Sequence, residues 1–103
     1  DPARMRANLE LGGGLIMAEA VMLDLGRVLG RQHAHDAVYD AAQDSFVKGV
    51  AFADLLAADA RVTAHLDRAA IGRLLDPAAY TGLCAQMARD AAGRAREVAG
   101  LLV

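Results

Sequence analysis

The stretch LELGGGLIMAEAVMLDL, residues 9–25, decides how the chain folds. Its apolar residues fall three and four apart, the spacing of a helix, yet Gly12, Gly13 and Gly14 interrupt its first half. A glycine inside a helix costs roughly 1 kcal/mol relative to alanine, so a fully helical run would cost about 2–3 kcal/mol. Three features could offset that cost: a deliberate bend, backbone-to-backbone packing, or a ligand approaching the main chain. The sign of a Gly13→Ala substitution separates the possibilities. A gain in stability means a plain helix, and a loss means a special backbone angle or a tight contact.

The helical spacing extends to both sides of this stretch. Asp1 followed by Pro2 is a helix opening, because an aspartate caps free N–H groups and proline tolerates the first helical position. From there Met5, Leu9, Ile16, Ala20 and Leu23 form one stripe, and Leu11, Leu15, Ala18, Met22 and Leu25 a second. Two stripes predict that the second half of this helix is buried nearly all round, with Gly26 and Gly30 as its stop. A second helix of about four turns is expected over residues 31–48, with Ala34, Val38, Ala41, Ala42 and Ser45 inward and Gly49 as its end. Short pieces follow, opened by Asp59, Asp67 and Asp76-Pro77, and Thr81-Gly82 closes the string. Cys84, Met87, Ala88, Ala91, Ala95, Val98 and Leu102 then mark a last amphipathic helix, with an expected Asp90–Arg94 pair at i,i+4. No segment alternates with period two. The reading is all-α: one small compact multi-helix domain over residues 1–103, with two or three longer helices and a string of short ones.

Composition narrows the function classes. Hydrophobic residues make up 55% of the 103 positions and aromatics 4%, so Ala, Leu, Val and Met must fill the core. Eleven basic against thirteen acidic residues, interspersed, leave no phosphate-tracking patch and give no nucleic-acid reading. Residues 11–25 contain Glu19 and Asp24 and fall short of the roughly 20 apolar residues that span a bilayer. Cys84 stands alone, which fits a reducing, cytoplasmic compartment. An opening on Asp-Pro rather than Met reads as a piece of something longer.

Candidate chemistry is sparse. His33 and His35 are two apart, about 200° around a helix, and so cannot share a metal ion. Both read as surface or helix-packing residues, and His65 as a partly buried packing residue beside Leu66. Ser45 has no histidine at helical neighbour spacing, and Cys84 opens an apolar stripe with no basic partner. Glu19 is the anomaly. Either it reaches the polar edge of its helix, or it faces a cleft or interface where it meets a cation. The glycine run lacks the Lys-Ser/Thr of a phosphate loop and follows no strand. No catalytic, cofactor-binding or metal-ligating residue is assigned, and no cofactor is expected. Whether Glu19, His35 or the Gly12–Gly14 run approaches a parent active site is open at this level.

Four strings carry a resemblance: Arg4-Met5-Arg6-Ala7-Asn8-Leu9, Gly14-Leu15-Ile16-Met17-Ala18-Glu19-Ala20, Gly30-Arg31 with Ala34-His35, and Leu75-Asp76-Pro77-Ala78-Ala79-Tyr80-Thr81-Gly82. In this order they resemble the C-terminal region of the aspartase/fumarase superfamily, in the branch holding adenylosuccinate lyase and 3-carboxy-cis,cis-muconate cycloisomerase. The string RMRANL with GRQ.AHD.VYDAA is more similar to the cycloisomerase. The resemblance implies a small helical third domain following a central helical bundle, which drives assembly of a homotetramer whose active sites lie where subunits meet. It also implies cofactor-free closure of 3-carboxymuconate to a carboxymuconolactone, as in the β-ketoadipate pathway of aromatic catabolism. The catalytic serine loop of the superfamily, of the type Gly-Ser-Ser-x-Met-Pro-x-Lys, is absent from these residues, so no catalytic residue carries over. The excised chain is expected to be inactive, with the rest of its own enzyme as partner. Two rivals stand: the same domain of an adenylosuccinate lyase, and a stand-alone helical interaction module that buries the Leu15–Leu25 face against a partner. Upstream sequence separates the module from the enzyme.

Overall fold

Asp1 opens the first helix as its sequence predicts: the carboxylate accepts from the N–H groups of Ala3 and Arg4, and Pro2 occupies the first turn. In the computed structural model, which describes residues 1–103, helix α1 spans Pro2–Glu10 and then stops. The single long helix expected through the glycine run is therefore replaced by a break. Gly13 and Gly14 take φ of +61° and +93°, angles that a right-handed helix does not contain, and a 3-10 turn over Leu15–Met17 restarts the chain. Helix α2 runs from Ala18 to Leu29, passing through Gly26 and ending at Gly30.

Gly30 is the whole connection to α3, Arg31–Lys48. At φ +81° it turns the chain so that α2 and α3 pack side by side, the most extensive contact in the molecule. Their interface explains the alanine-rich composition. Ala34, Ala37 and Ala41 are buried on α3 and let the helices approach closely around Val21 and Leu25. Helices α4 (Phe52–Ala58), α5 (Ala60–Thr63) and α6 (Arg68–Leu74) close the core with Phe52, Leu56, Val62, Leu66 and Ile71. Burial of each large apolar side chain contributes about 1.5–3 kcal/mol. Asp59, Asp67 and Asp76 act as the expected caps, accepting from the N–H groups of Arg61, Ala70 and Ala78 at 2.8, 2.7 and 3.0 Å. Arg61 bridges its neighbour Asp59 to Asp40 of α3, an exposed link between α5 and the longer helix. Ser45 is the one buried polar residue; its Oγ donates to the Val50 carbonyl at 2.7 Å and locks the turn after α3.

A 3-10 turn over Pro77–Ala79 leads to helix α7, Cys84–Leu101. The architecture is all-α, with three helices of 12 to 18 residues and the expected string of short ones. The packed body lies within residues 15–75, whereas α1 and α7 contribute no buried residue. Their position outside the body gives a longest dimension of 62 Å and a radius of gyration of 18.4 Å, against about 13 Å for a compact chain of 100 residues.

Several local expectations are corrected. Helix α2 is not buried all round, since Leu23 and Val28 remain exposed while Ala20, Val21 and Leu25 face the core. His65 is exposed, because the neighbouring Leu66 takes the inward position. Cys84 and the stripe it opens are exposed rather than packed within the chain. Asp90 accepts from Gln86 Nε2 at 2.7 Å instead of pairing with Arg94.

Candidate functional site

Glu19, His35 and Tyr39 come together on the α2–α3 face, and Tyr80 reaches Glu19 from the turn after Pro77. Glu19 stands in the first turn of α2, the end of a helix that favours a negative charge. Its Oε2 accepts a hydrogen bond from the Tyr80 hydroxyl at 3.2 Å, across 61 positions of sequence. Beside it an open groove of about 300 Å³ is lined by Ala18, Glu19, Met22, His35, Val38 and Tyr39. Glu19 thus sits at the polar edge of its helix and has no cation partner within the chain.

Helical geometry arranges the far wall. His35 and Tyr39 are four apart on α3 and stack with ring centroids 5.8 Å apart and 16° between planes. The His35 Nδ1 lies 3.3 Å from Asp36 Oδ1, which also accepts from Gln32 Nε2 at 2.9 Å. These two hydrogen bonds, that from His35 foremost, hold the Asp36 carboxyl below the usual carboxylate range. An ionised carboxylate only accepts, so Nδ1 carries the proton in this pair. Desolvation, followed by the Glu19 charge, pushes the Tyr80 hydroxyl above its ordinary value. It remains a donor at neutral pH, and the arrangement can orient a ligand by hydrogen bonding without furnishing a phenolate.

A second groove of about 250 Å³ borders the glycine turn, with Arg6, Leu9, Gly13, Gly14, Leu75 and Pro77 among its walls. Arg6 reaches Asp76 at 3.1 Å and Glu10 at 3.4 Å, tying α1 to the Pro77 turn. Asp76 is held below the usual carboxylate range, first by the Ala78 N–H and then by Arg6. The charges here are paired with one another.

His33 is exposed on α3 and takes no part in the groove that His35 lines. No three His, Cys, Asp or Glu side chains gather as a metal-holding group. Sequence reasoning singled out Glu19 but missed Tyr80 and Tyr39 as its neighbours. The spacing of Tyr39 from His35 was a usable signal, whereas the Glu19–Tyr80 contact depends on tertiary packing that no local pattern records.

Comparison with known proteins places this fold. The model of the family described as adenylosuccinate lyase C-terminus matches residues 14–91. The chain belongs to that family. It is 46% identical over 85 residues to trans-aconitate decarboxylase 1 of Mycosarcoma maydis, an alignment covering 82% of this chain and 17% of that protein. It is 43% identical over 83 residues to an N-acetyl-S-(2-succino)cysteine lyase of Enterococcus italicus, covering 81% of this chain and 18% of that one. A 3-carboxy-cis,cis-muconate cycloisomerase of Bradyrhizobium diazoefficiens is also 43% identical, over 82 residues, with 80% and 18% covered. The chain therefore spans less than a fifth of the length of each of these relatives. No solved structure gives a significant match. No helix is long and apolar enough to cross a membrane.

Proposed function

We propose that this chain is the C-terminal, cleft-flanking structural domain of a cytoplasmic cycloisomerase that converts 3-carboxy-cis,cis-muconate to carboxymuconolactone in aromatic catabolism. The observation that carries the reading is the family match over residues 14–91, joined to 43% identity with a cycloisomerase of that name. The names of all three relatives specify carboxylate chemistry, with aconitate, a succino group and carboxymuconate, so the coarser reading is action on a small polycarboxylate. Trans-aconitate decarboxylation is the second reading, favoured by the 46% identity to the Mycosarcoma protein.

The site geometry supports a positioning role. Tyr80 is engaged with Glu19, His35 with Asp36, and Arg6 with Asp76, so the ionisable groups stabilise one another. Reaction chemistry then comes from the remainder of the same enzyme, a central bundle assembled as a homotetramer. The test is to assay the full-length gene product on 3-carboxymuconate, trans-aconitate, N-acetyl-S-(2-succino)cysteine and adenylosuccinate, with the 103-residue chain alone in parallel. Turnover of 3-carboxymuconate by the full-length protein and none by the isolated chain is the expected result. Preference for another substrate replaces the cycloisomerase reading, and turnover by the isolated chain refutes the structural role.

A further inference from the structure

The chain has two phenylalanines, and their fates are opposite: Phe52 is fully buried while Phe46 is 81% exposed. Phe46 lies on the last turns of α3 and borders an open groove of about 510 Å³, shared with Leu11, Gly12, Leu15 and Val50. Leu11 is 83% exposed and Val50 39%, and no charged side chain lines the groove. Its walls are fixed. Ser45 Oγ holds the Val50 carbonyl, and the Phe52 N–H donates to the Gly13 carbonyl at 3.4 Å, joining the turn after α3 to the glycine turn. A preformed uncharged groove with an exposed aromatic at its rim has the character of a seat for the apolar face of a helix.

The connectivity selects the occupant. The nine residues of α1 rise about 14 Å, so polypeptide preceding Asp1 leaves the domain within that distance of the groove. Polypeptide continuous with α1 is thereby held near the groove, and a separate chain must exceed its local concentration to compete. We infer that the groove formed by Leu11, Phe46 and Val50 seats an apolar helix of the preceding polypeptide of the same subunit, with Phe46 as the anchor. This rests on the reading of the chain as the C-terminal part of a longer enzyme, whose relatives are more than five times the matched length.

Two measurements on the full-length protein test it. Hydroxyl-radical footprinting of the unmodified protein should find Phe46 oxidised as slowly as Phe52; oxidation at the rate of a solvent-exposed phenylalanine overturns the inference. Replacing Phe46 with photoreactive p-benzoylphenylalanine should give, on illumination, a cross-link within one subunit that maps to residues upstream of Asp1. A product of twice the subunit mass means that a second copy occupies the groove, and no cross-link means that it is empty; either overturns the inference. Failure of the functional reading is distinguishable, because it would show as absent turnover on all four substrates while the intramolecular cross-link persisted.

Discussion

Alanine substituted in turn at Gly12, Gly13 and Gly14 should give stability changes that differ in sign along three adjacent residues. Gly12 keeps a negative φ, and a Cβ built on it meets no atom within 4 Å. Gly12→Ala therefore removes unfolded-state freedom without strain and should stabilise by about 0.4–1 kcal/mol. Gly13 has equally open surroundings but a φ of +61°. The left-handed region costs an L-residue about 1–2 kcal/mol, from which the same entropic gain is subtracted, so Gly13→Ala should destabilise by about 1 kcal/mol. Gly14, at φ +93°, lies beyond the small left-handed well, and a Cβ there would stand 3.8 Å from the Phe52 Cβ and 3.9 Å from its Cδ1. Those are ordinary contacts, so the loss is conformational and should exceed that at Gly13, reaching about 2 kcal/mol. Urea unfolding of the three variants and the parent, followed by far-UV circular dichroism with a common m-value, reads the differences directly. Equal or increased stability of Gly13→Ala would refute the break and restore a continuous helix through the run.

Leu25→Ala should cost about 2–5 kcal/mol by leaving a cavity in the α2–α3 core, whereas Leu11→Ala, at an 83% exposed position, should stay within about 0.5 kcal/mol; the same unfolding assay ranks the two. Asp36, Asp59 and Asp76 all have folded pKa values below the unfolded value of about 3.9, so their stabilisation is complete above that pH. It should fade as the pH falls through the lower folded values, and a urea midpoint that stays flat below about pH 4 would contradict the pairing of these carboxylates. For Tyr80 the sign reverses: its raised pKa gives a contribution present below about pH 10 and lost as the pH rises through the folded value. Ultraviolet titration in a Tyr39→Phe background should place the Tyr80 midpoint above 10, and Glu19→Gln should lower it by removing the neighbouring charge. A midpoint unmoved by Glu19→Gln would mean that the Tyr80–Glu19 hydrogen bond does not persist in solution.

The parts of this molecule legible in the sequence are those governed by neighbours three or four residues away. Asp1, Asp59, Asp67 and Asp76 were readable as caps because a capping carboxylate reaches an N–H two or three positions on, and each of the four does so. The inward face of α3 was readable from Ala34, Val38, Ala41 and Ser45 for the same reason. At the glycine run a bend was one of three possibilities, and periodicity, blind to φ, could not choose it over one continuous helix. Leu11 and Leu15 keep helical spacing across a break that only the positive angles of Gly13 and Gly14 reveal. At the candidate site the His35–Tyr39 stack is local and was available, while the Tyr80–Glu19 contact joins residues 61 apart and was not.

Helix α7 shows where such reading stops. Cys84, Ala88, Ala91, Ala95, Val98 and Leu102 keep the alternating three- and four-residue spacing of a seam made for another helix, and the seam is present in the structure without a partner in the chain. Periodicity marks a face that gains by being covered, but it does not name the cover. An 18-residue helix with no buried side chain is marginal in water, so α7 and the nine-residue α1 should be the first elements to lose protection from hydrogen exchange in the isolated chain. The α2–α3 pair should be the last. Amides of α7 exchanging as slowly as those around Leu25 would show that the helix is held by contacts within this chain and belongs to the packed body.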